Sequence, residues 1–250
     1  MILSPFTPIF FPPANADGIE SRYMQTFSTS DTILVQIFGL SSETLDFKLL
    51  SEPDRSELAG YSFQTEQLDD TTVLYICEMK LTAGLYRIKF DGHYSAPFRV
   101  TSDESLLKNT VLFQYSTVDN RVRADVVAIV DNARKYFSFR VPGGFKDGGW
   151  SFSVDNEQFV TADSDIVELY SRESMQKTFT LGDSAGVPVW FGQMLNRILS
   201  CRYVYLDGIR FARFEASVPE MEQVLDGVNS FVFTQKLQQI NHIAPKLKSI

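Results

Sequence analysis

Short runs of alternating apolar and polar residues, separated by turn-forming dipeptides, recur along most of this chain. In its N-terminal part they include Thr72–Glu78 and Leu85–Phe90, and Asp91-Gly92 directly follows the second run. Alternation with a period of two is typical of half-buried strands, and an Asp-Gly pair between two such runs favours a tight hairpin. Because no helical pattern interrupts these strands, residues 23–103 are predicted to form a small β-sandwich.

The end of this predicted sandwich has a recognisable pattern. Gly84–Ile88 followed by Phe98–Val100 resembles the closing hairpin of an immunoglobulin-like or carbohydrate-module-like sandwich. This likeness concerns the fold alone and does not fix a function. The polar segment Thr101–Glu104 ends the alternation, and Asp103 is well suited to cap a short helical turn, so the domain boundary is placed there.

Residues 104–250 are predicted to form a second antiparallel β-domain that carries one helix. Apolar residues recur every three or four positions from about 187 to 200, after Pro188, which predicts an amphipathic helix. Asp207-Gly208 gives the sharpest hairpin signal of the chain. The fold class is therefore all-β to β-dominant α+β. The strand-like runs of this domain are Val111–Ser116, Val126–Val130, Tyr136–Val141, Trp150–Val154, Ile166–Arg172, Lys177–Leu181, Tyr203–Leu206, Ile209–Phe214 and Ser230–Leu237.

Residues 1–22 form a segment rich in Pro and Phe, which we call the arm. Proline fixes φ and lacks a backbone donor, so the arm is predicted to be extended rather than helical. Its large apolar side chains should be covered, either by the parent domain or by an adjacent subunit. The candidate contact residues of the arm are Phe6, Ile9, Phe10 and Phe11.

Aromatic residues are unusually frequent, with 21 Phe and 10 Tyr among 250 residues. Such side chains favour pleated, half-buried surfaces and contribute strongly to protein interfaces. The formal net charge is −8, and the basic residues are scattered. Since phosphate contacts need clustered Lys and Arg, this balance argues against nucleic-acid recognition.

The two cysteines and the N-terminus indicate the cellular compartment in which the protein is expected to reside. Cys77 and Cys201 lie far apart in strand-like surroundings, which predicts free, buried thiols in a reducing environment rather than a disulfide framework. The proline-interrupted N-terminus lacks the positive region of a signal peptide, and no apolar run is long enough to span a bilayer. We therefore expect a protein that is not secreted through a signal peptide and has no membrane span.

No motif of the sequence assembles catalytic machinery. The only histidines are His93 and His242, and neither is placed in a pattern with a nucleophile and an acid. Asp163-Ser164-Asp165 lacks the remaining ligands of a calcium-binding loop. Two carboxylates facing each other across a cleft would be needed for a glycosidase, and their spacing in sequence does not reveal such a pair. A non-enzymatic protein without cofactor or metal is the expectation.

The glycine-rich segment Val141–Trp150 lacks the residue order of a phosphate-binding loop, and a strand rather than a helix follows it. Its glycines, from Gly143 onward, are predicted to form the exposed tip of a long hairpin. This tip is either a simple turn or a contact element, and a sugar-stacking platform is a further alternative. Its candidate contact residues are Phe145, Lys146 and Trp150.

The alternating run from Phe231 to Leu237 is the last strand signal of the chain. A strand of this kind either closes the sheet of its own domain or pairs with the exposed edge of another subunit. Phe231 and Phe233 are therefore candidate interface residues.

Several segments of the second domain are similar to uncharacterised proteins encoded among the tail genes of phages and prophages of gut bacteria. The likeness covers most of residues 110–240 and the stretch Pro5–Glu20, whereas the sandwich matches only loosely. Its motifs carry no assigned chemical role, so no functional residue is transferred. The segments concerned are Phe139–Lys146, Val154–Phe159, Lys177–Gly182, Gly186–Trp190, Leu195–Cys201, Val218–Glu220 and Phe231–Gln235.

The resemblance implies a structural component of a virion tail or baseplate, with a general role like that of distal-tail, tube-adaptor or tail-hub proteins. Such proteins often combine a ring-forming β-domain that carries one helix with a peripheral sandwich. The implied partners are other tail proteins and further copies of the chain in a ring, with assembly in the host cytoplasm. A glycan-binding accessory module, which would use the sandwich or the Gly143–Trp150 loop on a host-surface glycan, is the alternative function.

Overall fold

The computed structural model describes residues 1–13, 19–215 and 217–240. These residues form mainly strands, arranged in several antiparallel sheets, with two helices among them. The predicted class, all-β to β-dominant α+β, is confirmed.

The N-terminal part of the chain contains two sheets that pack face to face. One sheet has the order β1-β4-β7-β6, the other has the order β3-β10-β8-β5, and β9 pairs with β8. Apolar side chains from both sheets, including Val35, Ile88 and Phe98, form one buried cluster between them. The strands of these two sheets are β1 Ile2–Leu3, β3 Gln25–Ser28, β4 Ile33–Leu40, β5 Phe47–Ser51, β6 Gln64–Gln67, β7 Thr72–Met79, β8 Gly84–Phe90, β9 His93–Tyr94 and β10 Phe98–Thr101. Strand β2, Ile19–Glu20, lies outside both sheets and pairs with residues 228–229.

The C-terminal part is built around a closed barrel. Strands β14, β11, β16, β17, β20 and β15 pair in this order, and β15 pairs in turn with β14, so six antiparallel strands have no free edge within the barrel. The elements are α1 Glu104–Leu107, β11 Thr110–Ser116, β12 Ile129–Val130, β13 Ala133–Arg134, β14 Phe137–Val160, β15 Ile166–Leu181, α2 Val189–Ile198, β16 Tyr203–Leu206, β17 Ile209–Arg213, β18 Glu220–Gln223, β19 Val228–Asn229 and β20 Phe231–Gln239.

Helix α2 packs against the buried face of the barrel strands. Pro188 precedes its first residue, in the position that the sequence predicts. Phe191, Leu195 and Ile198 lie on its buried side. They belong to the larger of the two buried apolar clusters, which contains the barrel side chains and which we call the larger core. The predicted amphipathic helix is thus confirmed, with the apolar period of three and four residues as its cause.

The sandwich and the barrel share part of the larger core. Strand β4 is buried on both faces, because Val35 points into the sandwich while Leu34 packs with the barrel residues. Gln36 is fully buried between the two and bonds both the backbone N–H and the backbone C=O of Val127. These bonds draw residues 126–128 away from strand pairing, so the predicted strand Val126–Val130 is reduced to β12, Ile129–Val130.

The first thirteen residues of the arm pack on their own chain. Its first residues form β1, which pairs with β4, so the sandwich begins N-terminal to its predicted start at residue 23. Phe6 and Ile9 are 1% and 3% exposed. The carbonyl of Phe6 accepts a hydrogen bond of 2.6 Å from the hydroxyl of Tyr115, and that of Pro5 accepts one from Arg197. Docking of Phe6 or Ile9 on an adjacent subunit is therefore wrong for this structure, since both side chains fill the chain's own cores.

Both cysteines are free thiols. Burial raises the pKa of the Cys77 thiol to about 11 and that of the Cys201 thiol to about 12. The reactive thiolate of Cys77 is therefore on the order of a thousandth of the population at pH 8.

We expect both thiols to react with a disulfide reagent far more slowly in the native protein than in the unfolded chain. The native rate should rise roughly tenfold with each pH unit up to these pKa values, because only the thiolate attacks. Absorbance-monitored thiol titration with and without denaturant measures the difference. Complete modification of the native protein at the rate of the unfolded chain would show that the thiols are not protected.

Candidate assembly site

The longest strands of the structure form a hairpin that extends beyond the barrel. Strand β14 pairs with β11 only as far as Pro142, and β15 pairs with β20 only from Gln176 onward. Between these limits, Trp150–Val160 pairs with residues 166–177. We call residues 150–175 the projecting hairpin. At about 3.3 Å per residue, its strand from Trp150 to Val160 is roughly 33 Å long.

The turn of the projecting hairpin lies at Thr161–Asp165 rather than in the glycine-rich segment. The backbone N–H of Thr161 donates to the carbonyl of Asp165 at 2.8 Å, and Ser164 adopts a positive φ of 63°. The prediction that Gly143–Trp150 forms a hairpin tip is wrong. Phe145 still pairs with Phe179, and Trp150 resumes the pairing opposite Lys177, so residues 146–149 are an interruption inside one strand.

The residues on both sides of the glycines explain why the chain forms no hairpin turn there. Alternation resumes immediately at Trp150, and the residues after Thr161 supply a complementary strand. Pairing therefore continues across the interruption, which behaves as an enlarged bulge. Gly143 does require its glycine, since its φ is 131° and a Cβ there would overlap the backbone carbonyl of Thr180.

The two faces of the projecting hairpin differ in polarity near its base. Residues directly opposite each other share a face, and successive residues alternate between faces. One face carries Trp150, Phe152, Val154 and Met175, which we call the apolar stripe. Phe152 is 76% and Val154 60% exposed. The opposite face carries Ser151, Ser153, Ser174 and Gln176, and the hydroxyls of Ser153 and Ser174 lie 2.6 Å apart.

The outer edges of this hairpin have no strand neighbours. Among the described residues, no strand pairs with the outer edge of residues 150–160 or with the outer edge of residues 166–175. Each edge therefore presents backbone N–H and C=O groups that another strand could pair. Further apolar side chains are exposed beside the turn, namely Phe159, Val160, Ile166 and Leu169.

The predicted contact residues lie in different surroundings. Trp150 is 44% exposed and belongs to the projecting hairpin, while Phe233 is buried and faces α2. The expectation that Phe233 is an interface residue is wrong, because its side chain, like those of Phe6 and Ile9, is buried within its own chain. Half-buried positions are occupied by Phe10, Phe11, Phe145 and Phe231. The side chain of Lys146 lies outside the described part.

Contacts within the chain explain most of the half-buried rings. Phe10 lies 5.3 Å from the ring of Trp190, and Phe145 stacks on Phe211 at 5.0 Å. Strand β20, which carries Phe231, pairs with β15, β17 and β18 of its own chain. Of the two alternatives for this strand, closure of its own sheet is what the structure shows.

Sequence reasoning missed Phe152, Val154 and Ile166, which are among the most exposed large apolar side chains. The signal was present in the alternation Trp150-Ser-Phe-Ser-Val154. A pattern of this kind predicts a strand with one apolar face, but it does not reveal whether that face meets a core.

Titratable groups with shifted pKa values are scattered over turns and cores. Backbone N–H groups of Thr71 and Thr72, with their hydroxyls, lower the pKa of Asp69 to about 2 within a turn. Burial raises the pKa of Tyr115 inside the larger core. In the described ranges, no three His, Cys, Asp or Glu side chains come together as ligands for a metal. His93 lies exposed on β9, and His242 falls outside the described residues.

Comparison with family models, with curated proteins and with solved structures finds no match for this chain. The fold and the site thus define its class: a β-dominant protein with a two-sheet sandwich, a six-stranded barrel and a projecting hairpin. None of the helices among the described residues has the length and apolar character that crossing a membrane requires.

Proposed function

We propose that this chain is a non-enzymatic structural component of a bacteriophage tail or baseplate, which assembles into a homo-oligomeric ring and contacts other tail proteins. The observation that carries the proposal is the projecting hairpin, which has an exposed apolar stripe and two edges that no strand of the described residues pairs. The particle assignment, with assembly in the host cytoplasm and a place in the virion, is proposed from the resemblance of segments within residues 110–240 to tail-associated proteins, and it goes beyond what the comparisons found.

An isolated two-stranded hairpin is marginally stable in water, and unpaired edges attract further strands. A projecting hairpin of roughly 33 Å is therefore most stable when both edges are covered. A second copy supplies a matching edge, because the outer edge of residues 150–160 in one chain fits the outer edge of residues 166–175 in the next.

The direction of the strands suits a ring of copies that all point the same way. The two strands of the hairpin are antiparallel. When neighbouring hairpins point in one direction, β14 of one copy lies antiparallel to β15 of the next, so the pattern repeats without a break. Such a contact joins two different surfaces, and it yields a ring when the rotation between copies closes.

The apolar stripe supplies the non-polar part of this contact. Phe152 and Val154 lie on one strand and Met175 on the other, all on one face. Edge-to-edge pairing in the correct register places the apolar stripe of one copy beside that of the next. A slip by one residue would instead turn the stripe of one copy to the opposite face of the sheet. We expect each interface to bury on the order of 1,000 Å² or more, as stable interfaces do.

Removal of the projecting hairpin tests the proposal. A variant in which Asn-Gly replaces residues 152–175 connects Ser151 to Gln176, which are directly paired, through a two-residue turn. The barrel pairing of β15 with β20 is retained in this design. Sedimentation velocity should show a discrete oligomer for the full chain and a folded monomer for the variant.

A matched pair of double variants controls for general loss of apolar surface. Phe152→Ser with Val154→Ser should weaken the oligomer by at least tenfold in dissociation constant. Val218→Ser with Leu225→Ser removes two side chains of similar exposure, 62% and 63%, and should have little effect. Equal weakening by both pairs, or an intact oligomer without the hairpin, would refute assembly through this element.

The particle assignment has its own test. Antibodies against this chain, coupled to gold and applied to particles released from the producing bacterium, should label one position on the tail in electron micrographs. Label confined to the capsid or absent from the particles would contradict a tail role.

A second candidate function is glycan binding, which one observation favours. The exposed rings of Trp150 and Phe152 lie 6.3 Å apart at an interplanar angle of 25°, so together they present a platform on which a sugar ring could stack. A glycan-array screen of the full chain and of Trp150→Ala tests this function. Saturable binding that Trp150→Ala abolishes would support it, and the absence of binding by the full chain would reject it.

A further inference from the structure

The projecting hairpin joins the barrel through two unequal connections. Strand β15 is continuous, and its residue Lys177 pairs with both Trp150 and Leu237. Strand β14 is interrupted, because residues 146–149 lie between the pairs Phe145–Phe179 and Trp150–Lys177. Bulges bend a strand, and glycine tolerates many backbone conformations. The backbone alone therefore fixes the direction of the hairpin only weakly.

The side chain of Lys177 spans this interruption. Its ammonium nitrogen lies 3.8 Å from the ring centroid of Trp150, which belongs to the projecting hairpin. The same nitrogen lies 5.2 Å from the ring of Phe145 and 5.8 Å from the ring of Phe211, which both belong to the barrel. One cation thus contacts aromatic rings on either side of the junction.

The barrel side of this cluster is firmly held. Phe211 is 2% exposed, and the ring of Phe145 stacks on it at 5.0 Å and also meets Phe179 at 5.5 Å. Trp150, in contrast, is 44% exposed and its strand has lost its barrel neighbour. The rings attract the ammonium through their negative faces. Partial desolvation lowers the pKa of Lys177, as expected for an ammonium lying against rings.

We propose that Lys177 is a positioning residue whose ammonium latches Trp150 to the barrel rings and so holds the projecting hairpin in one direction. In the ring assembly proposed above, on which this role rests, the latch sets the angle at which each hairpin meets the next. The continuous strand β15 acts as the hinge between the barrel and the projecting hairpin. The cluster of Lys177 and the aromatic rings limits the movement of the hairpin about this hinge.

Distances between two spin labels within one chain test the latch. Labels are attached through Glu157→Cys on the projecting hairpin and Glu222→Cys on β18, both at exposed positions. Dilution with unlabelled protein restricts the measurement to single chains, whether or not rings form. The parent chain and Lys177→Arg, which keeps the cation, should give one narrow distance distribution.

Lys177→Met keeps the length of the side chain and removes its charge. We expect it to raise the ratio of displaced to native hairpin orientations roughly 2- to 30-fold, which broadens the distribution. Lys48→Met removes an exposed lysine of the sandwich and should change nothing. Trp150→Leu removes the other partner of the latch and should broaden the distribution as Lys177→Met does, so it decides the matter if Lys177→Met fails to fold.

An unchanged distribution in Lys177→Met or, where that variant does not fold, in Trp150→Leu would overturn the latch. Broadening by Lys177→Arg to the same extent as by Lys177→Met would also overturn it, because the cation is then irrelevant. Failure of the full chain to form an oligomer in sedimentation velocity would instead refute the proposed function. The distance distributions would still test the latch, because they are measured within single chains.

Discussion

Replacing Arg140 with methionine is expected to lower the free energy of unfolding by about 3–5 kcal/mol. Arg140 donates from Nε and Nη2 to the two carboxylate oxygens of Asp31 at 2.7 and 2.8 Å. This pair joins the sandwich to the barrel, and the two side chains are 12% and 2% exposed. Methionine fills similar space but leaves the Asp31 carboxylate buried, with the backbone N–H of Ser28 as its remaining donor within the described part of the chain. Urea denaturation of both proteins measures the difference.

Two comparisons make this prediction specific. Lys48→Met breaks a pair with Glu57 whose side chains are 42% and 53% exposed, and it should have little effect on stability. Combining Arg140→Met with Asp31→Asn removes the uncompensated charge and should restore part of the loss. If Arg140→Met costs no more than Lys48→Met, the Asp31–Arg140 pair does not hold the two parts together.

Introducing valine at Gly192 should destabilise the protein by about 3 kcal/mol, the upper end of what overpacking usually costs. Gly192 lies on the buried side of α2, where a Cβ would stand 2.5 Å from Cζ of Phe233. Phe233 is buried, so its ring has little room to move away. Thermal unfolding of the variant should show a clearly lower melting temperature.

A smaller residue at position 233 should relieve the overlap. Phe233→Leu combined with Gly192→Val should be more stable than the sum of the two single losses predicts, because the clash is removed. Gly144→Val is the matched control, since a Cβ at Gly144 meets nothing within 4 Å. Additive losses, or an equal loss in Gly144→Val, would show that the close approach of α2 to β20 is not what requires glycine.

Local signals in the sequence predicted the local elements of this fold. The Asp207-Gly208 pair forms the expected tight hairpin, with Leu206 opposite Ile209 and positive φ angles of 47° and 81°. Helix α2 follows Pro188, and Asp103 caps α1 by accepting a hydrogen bond from the N–H of Ser105. In each of these cases the deciding interactions lie within a few residues of one another.

Features that depend on distant partners could not be predicted in this way. Pairing of β15 with β20 closes the barrel across more than fifty residues of intervening chain. Burial of Phe6 depends on Tyr115 and Phe137, which lie in another part of the chain. Periodicity predicts that a strand or helix has a buried face, but it does not identify the residues that pack against that face.

The candidate site shows the same limit. The glycines around Gly143 predict a turn, because glycine permits positive φ. The strands on either side pair with one partner, β15, so the chain continues through the glycines without reversing direction. Only the register between β14 and β15 distinguishes a turn from an interruption, and that register is a long-range property.

Electron cryomicroscopy of the purified full chain at high concentration is the most direct measurement for the assembly account. It should show closed rings in which the strands of the projecting hairpins form one continuous antiparallel barrel, with Trp150–Val160 of each copy beside residues 166–175 of its neighbour. Particles that remain single chains, or rings whose copies touch through other surfaces and leave these two edges in water, would contradict it.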